Sequence, residues 1–217
     1  HYFSRARCRI VTLDYWSEDL PYSGIITNNS ESARTAVNYL VEKGHRRLGY
    51  LRGDFRIKAF KLREAGYRAA LAEQGIPYDP GYTVTVSTTM DGAYRDMLAY
   101  LKKKPGLAGA YFADNDMIAL GCMKALQECG IQIPGDVSLI GFDDLPFCDI
   151  VSPGLTSLRV PKQELGQMAV RRLLDIVEEG MDTKTQTLVS TRFVERDSVS
   201  DANGSDTIQY GAAMGSS

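Results

Sequence analysis

Short apolar runs alternate along this chain with longer stretches in which apolar residues return every three or four positions. Cys8–Leu13 (CRIVTL) and Gly24–Thr27 have the β-branched, compact character of buried strands. The segment NNSESARTAVNYLVEKG follows the helical template: Asn28 or Asn29 is placed to cap it, Ala33, Ala36, Val37, Leu40 and Val41 share one face, and Gly44 stands where a helix ends. The alternation then repeats. Arg47–Leu51 predicts a strand, Lys58–Gln74 a helix stopped by Gly75, and Tyr82, Val84 and Val86 alternate as a half-buried strand does. Thr88 or Thr89 is placed to cap a helix over Asp91–Lys103. Gly109–Ala113 predicts a strand, Asn115–Cys129 a helix closed by Gly130, and Val137–Gly141 another strand.

Beyond Asp143 the rhythm changes. DDLPFCDIVSPG predicts a proline-containing loop and LTSLRV a strand, and Pro161 opens a helix whose apolar face carries Leu165, Met168, Ala169, Leu173, Ile176 and Val177 up to Gly180. Leu188–Val194 predicts a last strand, and residues 196–217, small and polar from Asp201 onward, a disordered tail.

Four successive helix-then-strand units with short connections predict an α/β fold of doubly wound parallel sheets, because strands joined by helical crossovers run parallel and carry helices on both faces. The 217 residues are 44% apolar and 24% charged, as in an ordinary globular protein. The formal net charge of −2 lacks the basic excess of a nucleic-acid-binding module, so any DNA contact belongs outside this segment. No apolar run approaches the roughly 18 residues of a membrane span, and the charged opening HYFSRARCRI is unlike a secretory signal. Residue 1 is His rather than Met, which predicts that the true N-terminus is missing. Cys8, Cys122, Cys129 and Cys148 form no CxxC pair. Cys122 and Cys129 lie two helical turns apart, ~10 Å, too far for a disulfide. Buried thiols in a reducing cytoplasm fit them best.

Ligands of open parallel sheets bind beyond the carboxyl ends of the strands, so the polar side chains following strand ends are the candidates. Asp14, beside Tyr15 and Trp16, closes the first strand, and Arg63 lies on the helix after Arg47–Leu51. Thr88 and Thr89 follow Val86, Asn115 and Asp116 follow Ala113, and Asp143 and Asp144 follow Gly141. An arginine, an asparagine and carboxylates aimed at one crevice suit a polyhydroxylated ligand: carboxylates accept from adjacent hydroxyls, the guanidinium donates as a fork, and the amide does both. Trp16, Phe60 or Phe147 would cover the apolar face of a sugar, and the carboxylates disfavour a strongly anionic one, which points to a sugar or nucleoside. Plainer roles compete: Asp116 or Asn115 as helix caps, Arg63 as a surface helix residue, Asp144 as a loop-holding carboxylate, and His45 as a turn residue rather than a metal ligand. No Ser-His-Asp or Cys-His set, P-loop or GxGxxG is present, and adjacent Asp143 and Asp144 point opposite ways on extended backbone, which argues against a shared metal or proton. No enzyme, cofactor or metal is expected.

The strings EKGHRRLGYLRG (42–53), LREAGYRAALAEQGI (62–76), FADNDMIALGCMKAL (112–126), IPGDVSLIGFDDLP (133–146) and PGLTSLRVPKQELG (153–166) resemble, in order and spacing, the LacI/GalR transcriptional regulators with their periplasmic-binding-protein-like effector domain. The resemblance runs from about Ile10 to Glu195. It implies a two-lobed fold: residues 1–27 with 161–195 as a partial N-terminal lobe, and 28–160 as the C-terminal lobe. It implies effector contacts at Arg63 (the R-x-x-G-[FYW] arginine), Asn115 (A-N-D), Asp143 (the first aspartate of G-[FY]-D-D) and Asp14, with Thr27 at the crossover. Thr88 takes a position where several relatives carry a stacking aromatic, and IKAFK departs from the small residues common there, so that Phe60 narrows or lines the pocket.

The function implied is that of a cytoplasmic, homodimeric repressor's sensing domain. It would bind a sugar-like effector between its lobes and switch operator affinity through a helix-turn-helix absent from these residues. The alternative is a solute-binding protein of a sugar transporter, which shares fold and crevice. An incomplete N-terminal lobe further predicts uncovered apolar surface along Leu165–Val177.

Overall fold

The computed structural model describes residues 8–202, which divide into two compact units. The first comprises the chain up to Asn28 with Val160–Thr191, and the second Asn29–Arg159 with the chain from Arg192.

In the second unit, β3 (Leu48–Gly53), β4 (Thr83–Val86), β5 (Ala110–Ala113) and β6 (Ser138–Ile140) form a parallel sheet in the order β4-β3-β5-β6. The helix α1 (Asn29–Glu42) precedes β3, and α2 (Lys58–Glu73), α3 (Met90–Leu101) and α4 (Asp116–Glu128) join the strands, with α1 packed on α2 and α3 on α4. The residues that recur at helical spacing are those that go inside: Ala33, Ala36, Val37 and Leu40 are fully buried, as are Ala119, Cys122 and Ala125. All of β5 is buried, so both of its faces are covered, as a central parallel strand requires. Gly44 (φ 88°) and Gly130 (φ 78°) end α1 and α4 in the left-handed conformation that a side chain disfavours. A short α5 (Phe147–Ile150) lies inside the segment expected to be a plain loop.

From β3 the chain moves one way across the sheet to β4, and from β5 it moves the other way to β6. The carboxyl ends of β3 and β5 therefore flank a topological switch point, where open α/β sheets form a crevice.

The first unit holds a three-stranded parallel sheet in the order β1-β2-β8, from β1 (Val11–Leu13), β2 (Ser23–Thr27) and β8 (Gln186–Val189), with α6 (Lys162–Glu178) packed on β1 and β2. Of the apolar face expected for α6, Leu165 and Ile176 are buried, whereas Met168 and Val177 are exposed, as are Val170 and Leu174. Val170, Leu174 and Val177 recur at intervals of four and three, so the exposed apolar residues form a stripe along α6.

Two expectations for the C-terminal part need correction. The single strand over Leu188–Val194 is two: after β8, Ser190 and Thr191 break the run, and β9 (Arg192–Val194) pairs antiparallel with β7 (Ser157–Arg159) in the second unit. Residues 192–195 therefore do not continue the first unit. Nor does a disordered tail begin at 196. Ser198 is fully buried, donating to the Leu139 carbonyl at 2.6 Å and accepting from Thr156 N–H at 2.8 Å. The rest of the expected tail, 203–217, lies outside the described residues.

His45 belongs to this closure. It is buried, with Nε2 3.0 Å from the Ser200 carbonyl. Burial pushes its pKa down, opposed in part by the Ser200 carbonyl and the Asp201 carboxylate. A base whose folded pKa lies below its unfolded one contributes stability that is complete above the unfolded value, about 6.5, and is lost as pH falls through it, because the unfolded chain then binds the extra proton. Thermal melts from about pH 8 to 5 should therefore show a decline that is shallower in His45→Gln; parallel profiles would remove His45 as its source.

Candidate functional site

The switch-point edge is organised by a buried carboxylate. Asp114, directly after β5 and fully buried, accepts from Tyr50 Oη at 2.6 Å, Gly53 N–H at 2.8 Å and Arg56 Nη1 at 2.8 Å. It thus ties the end of β5 to the end of β3. Burial pushes the Asp114 carboxyl up, while Tyr50, Gly53, Arg56 and Arg63 pull it back down. Its backbone carbonyl accepts from Arg63 Nη1.

Arg63 comes from α2 and is only 4% exposed, so the surface-helix alternative fails. Its Nε donates to Asn29 Oδ1 at 2.8 Å, and its guanidinium carbon lies 3.4 Å from the centre of the Phe142 ring and 5.4 Å from that of Phe60. Its Nη2 stands 3.9 Å from Asp143 Oδ1. That is an ion pair at a separation too long for a hydrogen bond.

Asp143 and Asp144 adopt φ of 108° and 50°, two successive non-glycine residues in a region L side chains rarely enter. Such strain gathers at ligand sites. It turns the two carboxylates apart: Asp143 faces Arg63, while Asp144 holds Arg159 and Arg196, the latter at 2.7 Å. The two carboxylates thus face different arginines. Among the described residues no group of three His, Cys, Asp or Glu is placed to hold a metal, and no helix is long and apolar enough to cross a membrane.

Asn115 is the N-cap of α4, its Oδ1 accepting from Ile118 N–H at 3.0 Å, and it follows directly on Asp114, whose carbonyl Arg63 meets. The cap is therefore Asn115 and not Asp116. Asp116, fully buried in the first turn, instead accepts from Leu145 N–H at 2.8 Å and Ser157 Oγ at 2.6 Å and pins the loop after Asp143. Phe60 is buried, and a Cβ placed on Gly53 would come within 3.0 Å of its ring and 2.8 Å of Thr88 Cγ2, so Phe60, Thr88 and the end of β3 also meet.

Of the expected contacts, Arg63, Asp143, Asn115, Phe60 and Thr88 thus gather on one edge of the second unit. Asp14 and Thr27 pair in the first unit: the Thr27 hydroxyl donates to Asp14 Oδ1 at 3.1 Å at the carboxyl edge of β1 and β2, with Asp14 at φ 52°. Trp16 lies two residues beyond Asp14 in the same unit. Its ring packs against Gly24, where a Cβ would fall 2.8 Å from Cδ1, and the Lys184 ammonium lies 4.7 Å from the ring centre. These contacts hold the ring in place within the first unit. Asp114 and Arg56 went unnoticed in the sequence, and Asn29 was read only as a candidate helix cap. A carboxylate immediately after an all-buried strand was the signal available for Asp114.

A family model described as a periplasmic binding protein-like domain matches residues 37–199. The HTH-type transcriptional repressor PurR of Vibrio parahaemolyticus is 32% identical over 195 residues, 89% of this chain and 58% of its own length. The ribose operon repressor of Escherichia coli K12 is 35% identical over 153 residues, 70% of this chain and 46% of its own. The chain thus spans about half the length of the curated relatives it matches. Among solved structures, a LacI family transcriptional regulator from Enterococcus faecium with bound ribose superposes with a TM-score of 0.80 at 26% identity, covering 90% of this chain and 71% of that one. A LacI-family protein from Sanguibacter keddieii does so at 0.79 and 31% identity, covering 88% and 73%. With the model spanning most of the sequence and the switch-point edge built as described, the chain belongs to the periplasmic binding protein-like domain family, in the form found in LacI-family transcriptional regulators.

Proposed function

We propose that this chain is the effector-sensing part of a LacI-family transcriptional repressor and binds an uncharged, polyhydroxylated molecule, a sugar or nucleoside, at the switch-point edge of the four-stranded sheet. The observation that carries this reading is the approach of a buried guanidinium, Arg63, to the carboxylate of Asp143 at 3.9 Å, on the sheet edge where Asn115 caps α4. A forked donor and a carboxylate acceptor at that spacing suit neighbouring hydroxyls. Phe60 and Thr88 line the same edge, and Asp14 and Thr27 are further contact candidates. The ribose held by the similar Enterococcus faecium regulator supports a sugar. Operator binding is assigned to a helix-turn-helix elsewhere in a cytoplasmic homodimer, consistent with a net charge of −2 here. The repressor relatives favour this over a transporter's solute-binding protein.

Thermal shift of the protein against pentoses, hexoses and nucleosides tests the reading. At least one should raise the midpoint with increasing concentration, by about 2–3 kcal/mol of linkage at a hundredfold excess over Kd, and Asp143→Asn should abolish the rise. A flat response across the panel would end the proposal.

A further inference from the structure

We propose that Asp114 is a specificity-determining residue, one that neutralises a second arginine, Arg56, at the switch-point edge and thereby keeps the site selective for uncharged ligands. This rests on the reading of that edge as the ligand site.

Arg63 and Arg56 approach the same residue from two sides, Arg63 at the Asp114 carbonyl and Arg56 at its carboxylate. Two guanidiniums within reach of one residue at the end of β5 would by themselves make an anion site. Carboxylates cancel that charge. Arg56 Nη1 lies 2.8 Å from Asp114 Oδ2, and its Nη2 bonds Glu64, which also serves Arg68 at 2.7 Å and approaches Arg52 at 4.0 Å. Asp143 faces Arg63 at 3.9 Å, so each of the two guanidiniums at Asp114 has a carboxylate opposite it, and Glu64 serves Arg56 and Arg68. Asp114 is the one of these acids that is completely buried.

Tyr50 Oη and Gly53 N–H are neutral donors that any acceptor would satisfy, so they do not require a charge at this position. Arg56 does. Of its three partners only Arg56 carries a charge that the Asp114 carboxylate cancels, and the consequence is a masked Arg56.

Asp114→Asn keeps the shape and an acceptor while removing the charge. Inorganic phosphate is the probe, read by calorimetry and thermal shift. The expected result is about tenfold tighter phosphate binding in Asp114→Asn than in wild type, from one net charge gained within several ångströms, and return to the wild-type level in Asp114→Asn/Arg56→Gln. A purely structural Asp114 would change the melting midpoint and leave the phosphate response alone. A folded Asp114→Asn with no gain overturns the proposal, as does a wild type that already binds phosphate as tightly, or a gain that survives Arg56→Gln. Should Asp114→Asn fail to fold, Glu64→Gln removes the other carboxylate from the same guanidinium: a phosphate gain abolished by Arg56→Gln supports the masking of Arg56, and no gain overturns it. The sugar panel is a separate readout, so silence there counts against the sugar reading and not against the charge balance.

Discussion

Arg63→Ala is expected to lower the stability of the second unit by about 3–5 kcal/mol and, in protein that remains folded, to abolish sugar binding. The stability figure is that of breaking a buried charged network by removing one partner. Arg63 is 4% exposed, and its loss takes the donors from Asn29 Oδ1 and the Asp114 carbonyl and uncovers the face of Phe142. Each orphaned buried polar group costs about 1–3 kcal/mol, so two of them and the lost stacking reach the same range. Arg63→Lys should recover part of the stability and little of the binding, since an ammonium cannot fork between Asn29, Asp114 and a ligand. Urea denaturation measures the first effect and calorimetry the second. A loss below about 0.5 kcal/mol, within the range of ordinary surface substitutions, would contradict the buried geometry.

Gly66→Ala is expected to destabilise by about 3 kcal/mol or more, although alanine in place of glycine inside a helix ordinarily stabilises by about 1 kcal/mol. A Cβ at Gly66 would sit 2.2 Å from the Ser30 carbonyl oxygen and 2.8 Å from its carbon, backbone atoms of α1 that move only if the helices part. Overpacking of this kind costs about 1–3 kcal/mol even against side chains that adjust. Separating α1 from α2 also pulls Asn29 from Arg63, so binding should fall with stability. Gly166→Ala on α6 is the control: nothing lies within 4 Å of its added Cβ, and it should be neutral or stabilising in the same urea series. Equal effects at the two glycines would refute the close approach of α1 and α2.

The doubly wound sheet was legible because burial on both faces writes compact apolar strands, and amphipathic helices write a three-to-four spacing with a glycine at the end. The same logic failed where packing partners lie far along the chain. Nothing in Leu188–Val194 signals that its second half leaves one sheet for another, and Ser198 is buried by Leu139 and Thr156, distant in sequence. Met168 and Val177 carry the helical spacing on α6 but are exposed, which spacing alone does not reveal.

At the site, the rule that ligands gather at strand carboxyl ends, with the resemblance, singled out Arg63, Asn115 and Asp143. It passed over Asp114, whose role depends on Tyr50, Gly53 and Arg56 arriving from another strand and loop. Polar pairing inside a core has no period to betray it. The lysine over the Trp16 ring, Lys184, was equally illegible, because it comes from the far end of the chain.

The most direct test is a crystal structure of the protein grown with whichever sugar or nucleoside raises its melting midpoint most. The ligand should lie at the carboxyl edge of β3 and β5, its hydroxyls within hydrogen-bond distance of the Arg63 guanidinium, the Asn115 amide and the Asp143 carboxylate. A ligand bound away from that edge, with those three side chains untouched, would contradict the account.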